Sequence, residues 1–179
     1  GMNVNQKPFD NVKVRQAVAY AVPYQQIMDS VLFGQAIPLF GGADNKFKGT
    51  YWPQKDGYKT DLDKAKALMA EAGFAQGLET TFSLDVGTAT VGEPTAVLIQ
   101  ESLGKIGVKV TIKHYEWGAF PPLQQGEQPQ LSGWASMYRT AGRPDAPWRY
   151  NSAFAPDSSE RLLGDKDDRA WVRMEYQLH

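Results

Sequence analysis

The chain has 179 residues, 19 Lys+Arg against 20 Asp+Glu, no cysteine and 42% hydrophobic residues. That length suits one domain with a real core, and five Trp, eight Tyr and eight Phe are too many aromatics for a disordered chain. A net charge of −1 argues against electrostatically driven nucleic-acid binding, and zero cysteines exclude disulfides, thiolate metal sites and cysteine nucleophiles together.

No stretch approaches the ~18 consecutive apolar residues of a membrane helix. Residues 1–10 are polar, unlike a signal peptide, and Gly1 before Met2 reads as a tag scar on a linker. Asn11 is placed to cap a helix in which Val14, Ala17, Val18 and Ala21 recur at helical spacing. Pro23 lacks an N–H and disfavours helical geometry at Val22, so a break is expected, then a second segment from Tyr24 to Leu32 ended by Gly34. Residues 34–58 hold five Gly and two Pro and read as an extended connector.

Thr60, with Asp63 three residues on, is the expected cap of the next helix. Leu62, Ala65, Leu68, Met69 and Ala72 line one of its faces, and Gly73 supplies a left-handed stop. Thr80 to Val86 alternates around Phe82, Leu84 and Val86, as a half-buried strand does. Pro94 suits the first turn of a helix whose buried face is Ala96, Ile99, Leu103 and Ile106, up to Gly107. Val108, Val110 and Ile112 then alternate in a strand, with Lys109 and Lys113 facing elsewhere. Strand, helix and strand in about 35 residues make a βαβ unit with parallel strands. The fold class is α/β.

After Trp117 the texture changes. Six of the eleven prolines fall between Gly118 and Pro156, so residues 118–156 read as a loop-rich part, with a short strand within Leu131 to Tyr138. Residues 157–179 carry six acids and four bases and read as a charged helical tail, in which Trp171, Met174 and Leu178 share a face and no stop signal follows. All of 1–179 reads as one domain, with no internal repeat.

Catalytic and metal chemistry find little support. His114 and His179 are the only histidines, and neither has a nearby second ligand; His114 reads as a strand-end surface residue. Asp165, Asp167 and Asp168 lack the glycine and the distal Glu of a calcium loop. No Gly-x-Ser-x-Gly elbow is present. Residues 87–92 have neither the Walker lysine nor dinucleotide spacing, and read as an ordinary βα loop whose N–H groups are the only feature suited to an anion. What remains is an aromatic and cationic set: Trp134, Tyr138, Arg139, Arg143, Trp148, Arg149 and Tyr150. Such residues give large contact area at low entropic cost, with donors for a carboxylate or carbonyl. The same tryptophans would equally serve as the core of a loop-rich subdomain.

Residues 9–22, FDNVKVRQAVAYAV, closely resemble the helix opening the second large lobe of family 5 extracellular solute-binding proteins, the dipeptide, oligopeptide and nickel-type receptors of bacterial ABC importers. Gly34-Gln35-Ala36-Ile37-Pro38 before Gly41 resembles the family's G-x-A-x-P-x-x-G turn, and residues 63–74 resemble its A-K-x-L-L-x-E-A-G-F helix. Residues 103–110 match its helix-to-strand joint, and Gly133-Trp134 is similar to the G-W dipeptide that enters the binding cleft. Pro156, Leu162-Leu163 and residues 169–177 resemble later family segments more loosely.

The resemblance implies the C-terminal lobe of a type II, cluster C periplasmic-binding-protein-like fold. It implies binding without catalysis: a peptide-like or other small polar solute held between two lobes and delivered to permease subunits, in the periplasm or outside the cell. The partners implied are that ligand, the permease and an N-terminal lobe not contained in these residues. Self-association through exposed lobe surface is a further expectation. Ligand-contacting residues expected on this basis are Trp134, Met137, Tyr138, Arg139, Asp145 and Trp148, with no cofactor, metal or catalytic group. Met137 stands where peptide-binding members carry an aspartate three residues after the dipeptide, and Asp145 is the nearest acid able to substitute. Pro23 also replaces the family's usual Asp or Asn cap. Two rival expectations are a small α/β enzyme with a closed Trp/Arg-lined pocket and a truncated paralogue that binds nothing.

Overall fold

The computed structural model describes residues 2, 7–34, 36–38, 58–116, 119, 131–133 and 176–178. Its elements run α1 (Val12–Ala21), α2 (Tyr24–Ser30), β1 (Ala36–Pro38), α3 (Leu62–Glu71), β2 (Leu78–Asp85), α4 (Ala89–Gly104), β3 (Val108–Tyr115), β4 (Leu131–Gly133) and β5 (Tyr176–Leu178). A 3-10 turn, Val86–Thr88, joins β2 to α4.

Asn11 caps α1 as expected, its side-chain oxygen accepting the Lys13 N–H at 2.9 Å. Residues 7–10 form a turn rather than a free linker, and Phe9 within it is fully buried. The Arg15 guanidinium holds that turn by donating to the Phe9 carbonyl at 2.6 Å. Pro23 ends α1 for the reason its chemistry gives: with no N–H, it cannot bond the Ala19 carbonyl four residues back. The Tyr24 hydroxyl donates to that carbonyl instead, at 3.0 Å. The next three carbonyls are met from elsewhere in the fold. Tyr20 accepts the Asp61 N–H at 2.8 Å, Ala21 accepts the Ser102 hydroxyl at 2.6 Å, and Val22 accepts the Thr60 hydroxyl at 2.6 Å. The helix end is thereby closed by two other elements rather than by water.

Those bonds also correct the expected cap of α3. The cap is Asp61, whose carboxylate accepts the Lys64 N–H at 2.9 Å; Thr60 is engaged instead with the α1–α2 joint. Gly73 is left-handed, as expected, with φ +87°, and the bonds from Phe74 N–H to Met69 and from Gly73 N–H to Ala70 close the end of α3. The α3 face buries Ala65 and Met69, with Leu62, Leu68 and Ala72 packed at its margin. α1 packs against both α3 and α4.

β2 and β3 pair in parallel over their full lengths, Leu78 opposite Val108 through Asp85 opposite Tyr115, with α4 crossing between them. This is the expected βαβ unit. β4 pairs in parallel with the other side of β2, Phe82 to Leu131 through Leu84 to Gly133, so the strand order is β3-β2-β4. The central position of β2 explains one departure. Thr80, Phe82, Ser83, Leu84 and Asp85 are all buried, so β2 is shielded on both faces rather than half-buried, and Val86 falls in the turn beyond it.

Two further expectations are corrected. Pro94 lies inside α4, because the 3-10 turn runs straight into the helix and starts it at Ala89. Tyr176–Leu178 form a strand, antiparallel to Ala36–Pro38, rather than part of a helix reaching the last residue. The rest of the 34–58 connector, apart from the positions described, and the remainder of 157–179 lie outside the described residues, as do Asp165, Asp167 and Asp168.

Candidate functional site

Alternation sorts the sheet into two unlike faces. Leu78, Thr80, Phe82 and Leu84 of β2 share one face with Val108, Val110, Ile112 and His114 of β3. α4 covers it, burying Ala96, Ile99 and Leu103, and Gln100 donates from Nε2 to the Val110 carbonyl at 2.7 Å. The opposite face is polar throughout: Glu79, Thr81, Ser83 and Asp85 on β2, and Lys109, Thr111, Lys113 and Tyr115 on β3. Lys109 and Glu79 form an exposed ion pair at 2.8 Å; that hydrogen bond and the Glu79 charge raise the Lys109 pKa above its ordinary value of 10.5.

The carboxyl ends of the parallel strands are where α/β folds place ligands, and the favoured crevice lies where strand order reverses. Here the chain leaves β2, crosses to β3 on one side, and returns to β4 on the other, so the reversal falls between β2 and β4. Asp85 is the last residue of β2 and only 5% exposed. Its carboxylate accepts the Gly87 N–H at 3.0 Å and caps the 3-10 turn. A β-carbon at Gly87 would touch both Asp85 carboxylate oxygens at 3.4 Å, so the turn is fitted closely around the acid. The 87–92 segment is therefore a poor anion cradle, since a carboxylate already faces its first N–H.

Gly133 ends β4 beside Leu84, and Trp134 follows it directly in the sequence. The structure thus brings Gly133, the residue before Trp134, to the carboxyl end of the sheet at the strand reversal. Trp134, Met137, Tyr138, Arg139, Asp145 and Trp148 themselves lie outside the described residues, as do Arg143, Arg149 and Tyr150.

His114 is a surface residue near the end of β3, as expected, but it has a partner that sequence reasoning did not supply. Its Nε2 meets the Glu93 carboxylate of α4, with the two side chains 46% and 40% exposed. Asp85 and Ser83 were also missed. Ser83 is fully buried and its hydroxyl has no hydrogen-bond partner. The only sequence signal for either is polarity at two alternate positions interleaved with apolar Phe82 and Leu84. Among the described residues no group of three or more His, Asp or Glu is gathered to hold a metal ion, and no helix is long and apolar enough to cross a membrane.

Residues 1–160 match the family model described as bacterial extracellular solute-binding proteins, family 5 Middle. The chain is 38% identical over 144 residues to the dipeptide-binding protein of Escherichia coli K12, covering 74% of this chain and 25% of that protein. It is 40% identical over 124 residues to heme-binding protein A of Haemophilus influenzae, covering 66% of this chain and 22% of the relative. Among solved structures, AgaA of A. tumefaciens R10 in complex with agropinic acid superposes with a TM-score of 0.70 at 29% identity, over 96% of this chain and 37% of that one. The chain spans about a quarter of the length of these curated relatives. With the β3-β2-β4 sheet and a family match running through most of its length, the chain belongs to the family 5 extracellular solute-binding proteins.

Proposed function

We propose that this chain supplies one wall of the ligand site in the solute-binding component of a bacterial ABC importer. That component works in the periplasm or outside the cell, takes a peptide-like or other small polar solute between two lobes, and hands it to the permease. The observation that carries this reading is the strand reversal at β2, with Asp85 ending one strand and Gly133 ending its neighbour. The named ligands of the relatives, dipeptide and heme among them, support a binding role and differ enough that the solute class is read from the site itself.

In a two-lobed trap, affinity for the closed state shifts the hinge equilibrium, and closure removes water from the ligand. One wall by itself leaves the solute wet on its far side, where polar contacts gain little over those with water. The expected dissociation constant for this chain alone is therefore weak, about 1 mM or above. Trp134, Met137, Tyr138, Arg139, Asp145 and Trp148 are the proposed contacts beyond the described strands.

The enzyme alternative gains no support from the described residues. Their one histidine–carboxylate pair, Glu93 of α4 with His114 of β3, is substantially open to solvent.

The test is an NMR titration of the 15N-labelled chain with dipeptides, glutathione and an opine. Amides of residues 85–89, Tyr115 and Gly133 are expected to shift with at least one of these solutes, approaching saturation only at millimolar concentration. No shift with any of them overturns the binding reading, and a submicromolar constant overturns the claim that a second wall is needed.

A further inference from the structure

The polar face of the sheet is closed along one strand and open along the other. On β2 it runs from exposed Glu79 to Ser83 and Asp85, both buried, so the carboxyl end of that strand offers a solute almost no side-chain surface. On β3 the same face keeps Lys109, Thr111 and Lys113 exposed and Tyr115 half-buried. Tyr115 is the last residue of β3, in register with Asp85, and it is the one aromatic residue that β2 and β3 place on this face. His114 beside it belongs to the opposite face and pairs with Glu93 of α4. A solute arriving at the carboxyl ends of these two strands therefore meets β3 rather than β2, and the largest side chain it meets there is Tyr115. A half-buried tyrosine has part of its ring fixed against the protein and part free for a partner. It has little side-chain entropy left to lose, and a second ring gains contact area together with the edge-on or offset attraction between π systems.

We propose that Tyr115 is a specificity-determining residue of the solute site and receives an aromatic side group of the solute on its ring. The inference rests on the binding reading given above and adds to it the class of solute that the site favours. Lys113 and Thr111, the residues before Tyr115 on the same face, are polar and exposed, so the apolar contact is confined to the strand end and the rest of the solute stays polar. Small polar solutes that carry one aromatic group are favoured over the same backbone with a methyl in its place.

The experiment compares the dipeptides Ala-Phe and Ala-Ala by NMR titration of the wild-type chain, of Tyr115→Phe and of Tyr115→Ala. The wild type is expected to bind Ala-Phe about threefold or more tighter than Ala-Ala, with nuclear Overhauser contacts between the solute ring and the Tyr115 ring protons. Tyr115→Phe should keep that preference, and Tyr115→Ala should weaken Ala-Phe about fivefold while leaving Ala-Ala unchanged. Equal binding of the two dipeptides by the wild type overturns the proposal and leaves the binding reading intact. A preference for Ala-Phe without contacts to Tyr115, or one that survives Tyr115→Ala, also overturns it, because the ring is then held elsewhere. The wild-type contacts decide the matter even if Tyr115→Ala fails to fold. No binding of any solute overturns both readings together.

Discussion

Ser102 shows how a single side chain carries a tertiary contact in this fold. It lies in α4, is 4% exposed, and donates to the Ala21 carbonyl at the end of α1, a group that Pro23 prevents the helix from using in the ordinary way. Removing the hydroxyl leaves a carbonyl unpaired away from water. Ser102→Ala is expected to lower unfolding free energy by about 1–3 kcal/mol, measured by urea denaturation; a change within error would mean that water replaces the hydroxyl. Asp61 and Thr60 teach a related lesson. Both residue types cap helices, and their order along the chain does not say which one does so here. Thr60 is drawn off by the Val22 carbonyl and the Tyr24 N–H, both on the α1–α2 joint, and Asp61 is left to cap α3. The sequence holds two candidate caps; the contact between distant segments assigns them.

The elements themselves were largely legible wherever local chemistry is strong. The buried stripe of α1, the Pro23 break, the Gly73 stop and the alternation of β3 all follow from side-chain spacing and backbone limits. Elements went astray where a neighbour overrode local preference. β2 reads as half-buried from its alternation, yet as the central strand of the described sheet it has Ser83 and Asp85 of its polar face buried as well. Pro94 suggests a helix start, yet the turn capped by Asp85 begins the helix earlier. One element joint depends on glycine for a reason invisible in the sequence. Gly77 and Gly107, at the entrances to β2 and β3, have φ of +87° and +84°, and a β-carbon on Gly77 would come within 2.1 Å of the Gly107 carbonyl oxygen. Gly77→Ala combines left-handed strain with a clash against backbone, so a loss on the order of 3 kcal/mol is expected. Thermal denaturation of the variant checks this, and an unchanged midpoint would show that the two loops separate freely.

At the scale of the whole molecule, stability should be graded by how many sides of an element are held. β2 lies between two strands with α4 against it, whereas α2 buries Ile27 alone within its own length. Hydrogen exchange is therefore expected to be slowest in β2 and β3 and much faster in α2; equal protection of α2 would contradict this ordering. The candidate site sits at the well-held end of the sheet, which suits the wall proposed for it. The amino-acid sequence by itself determined the α/β class, the βαβ unit and the family resemblance, because those depend on periodicity and on short contiguous patterns. Only the tertiary structure decided that β4 lies beside β2 opposite β3, and that Asp85 and a partnerless Ser83 share the face at that reversal. Strand order is set by contacts between residues about fifty positions apart, Leu84 with Gly133 among them, and no local spacing in the chain encodes which strands will meet.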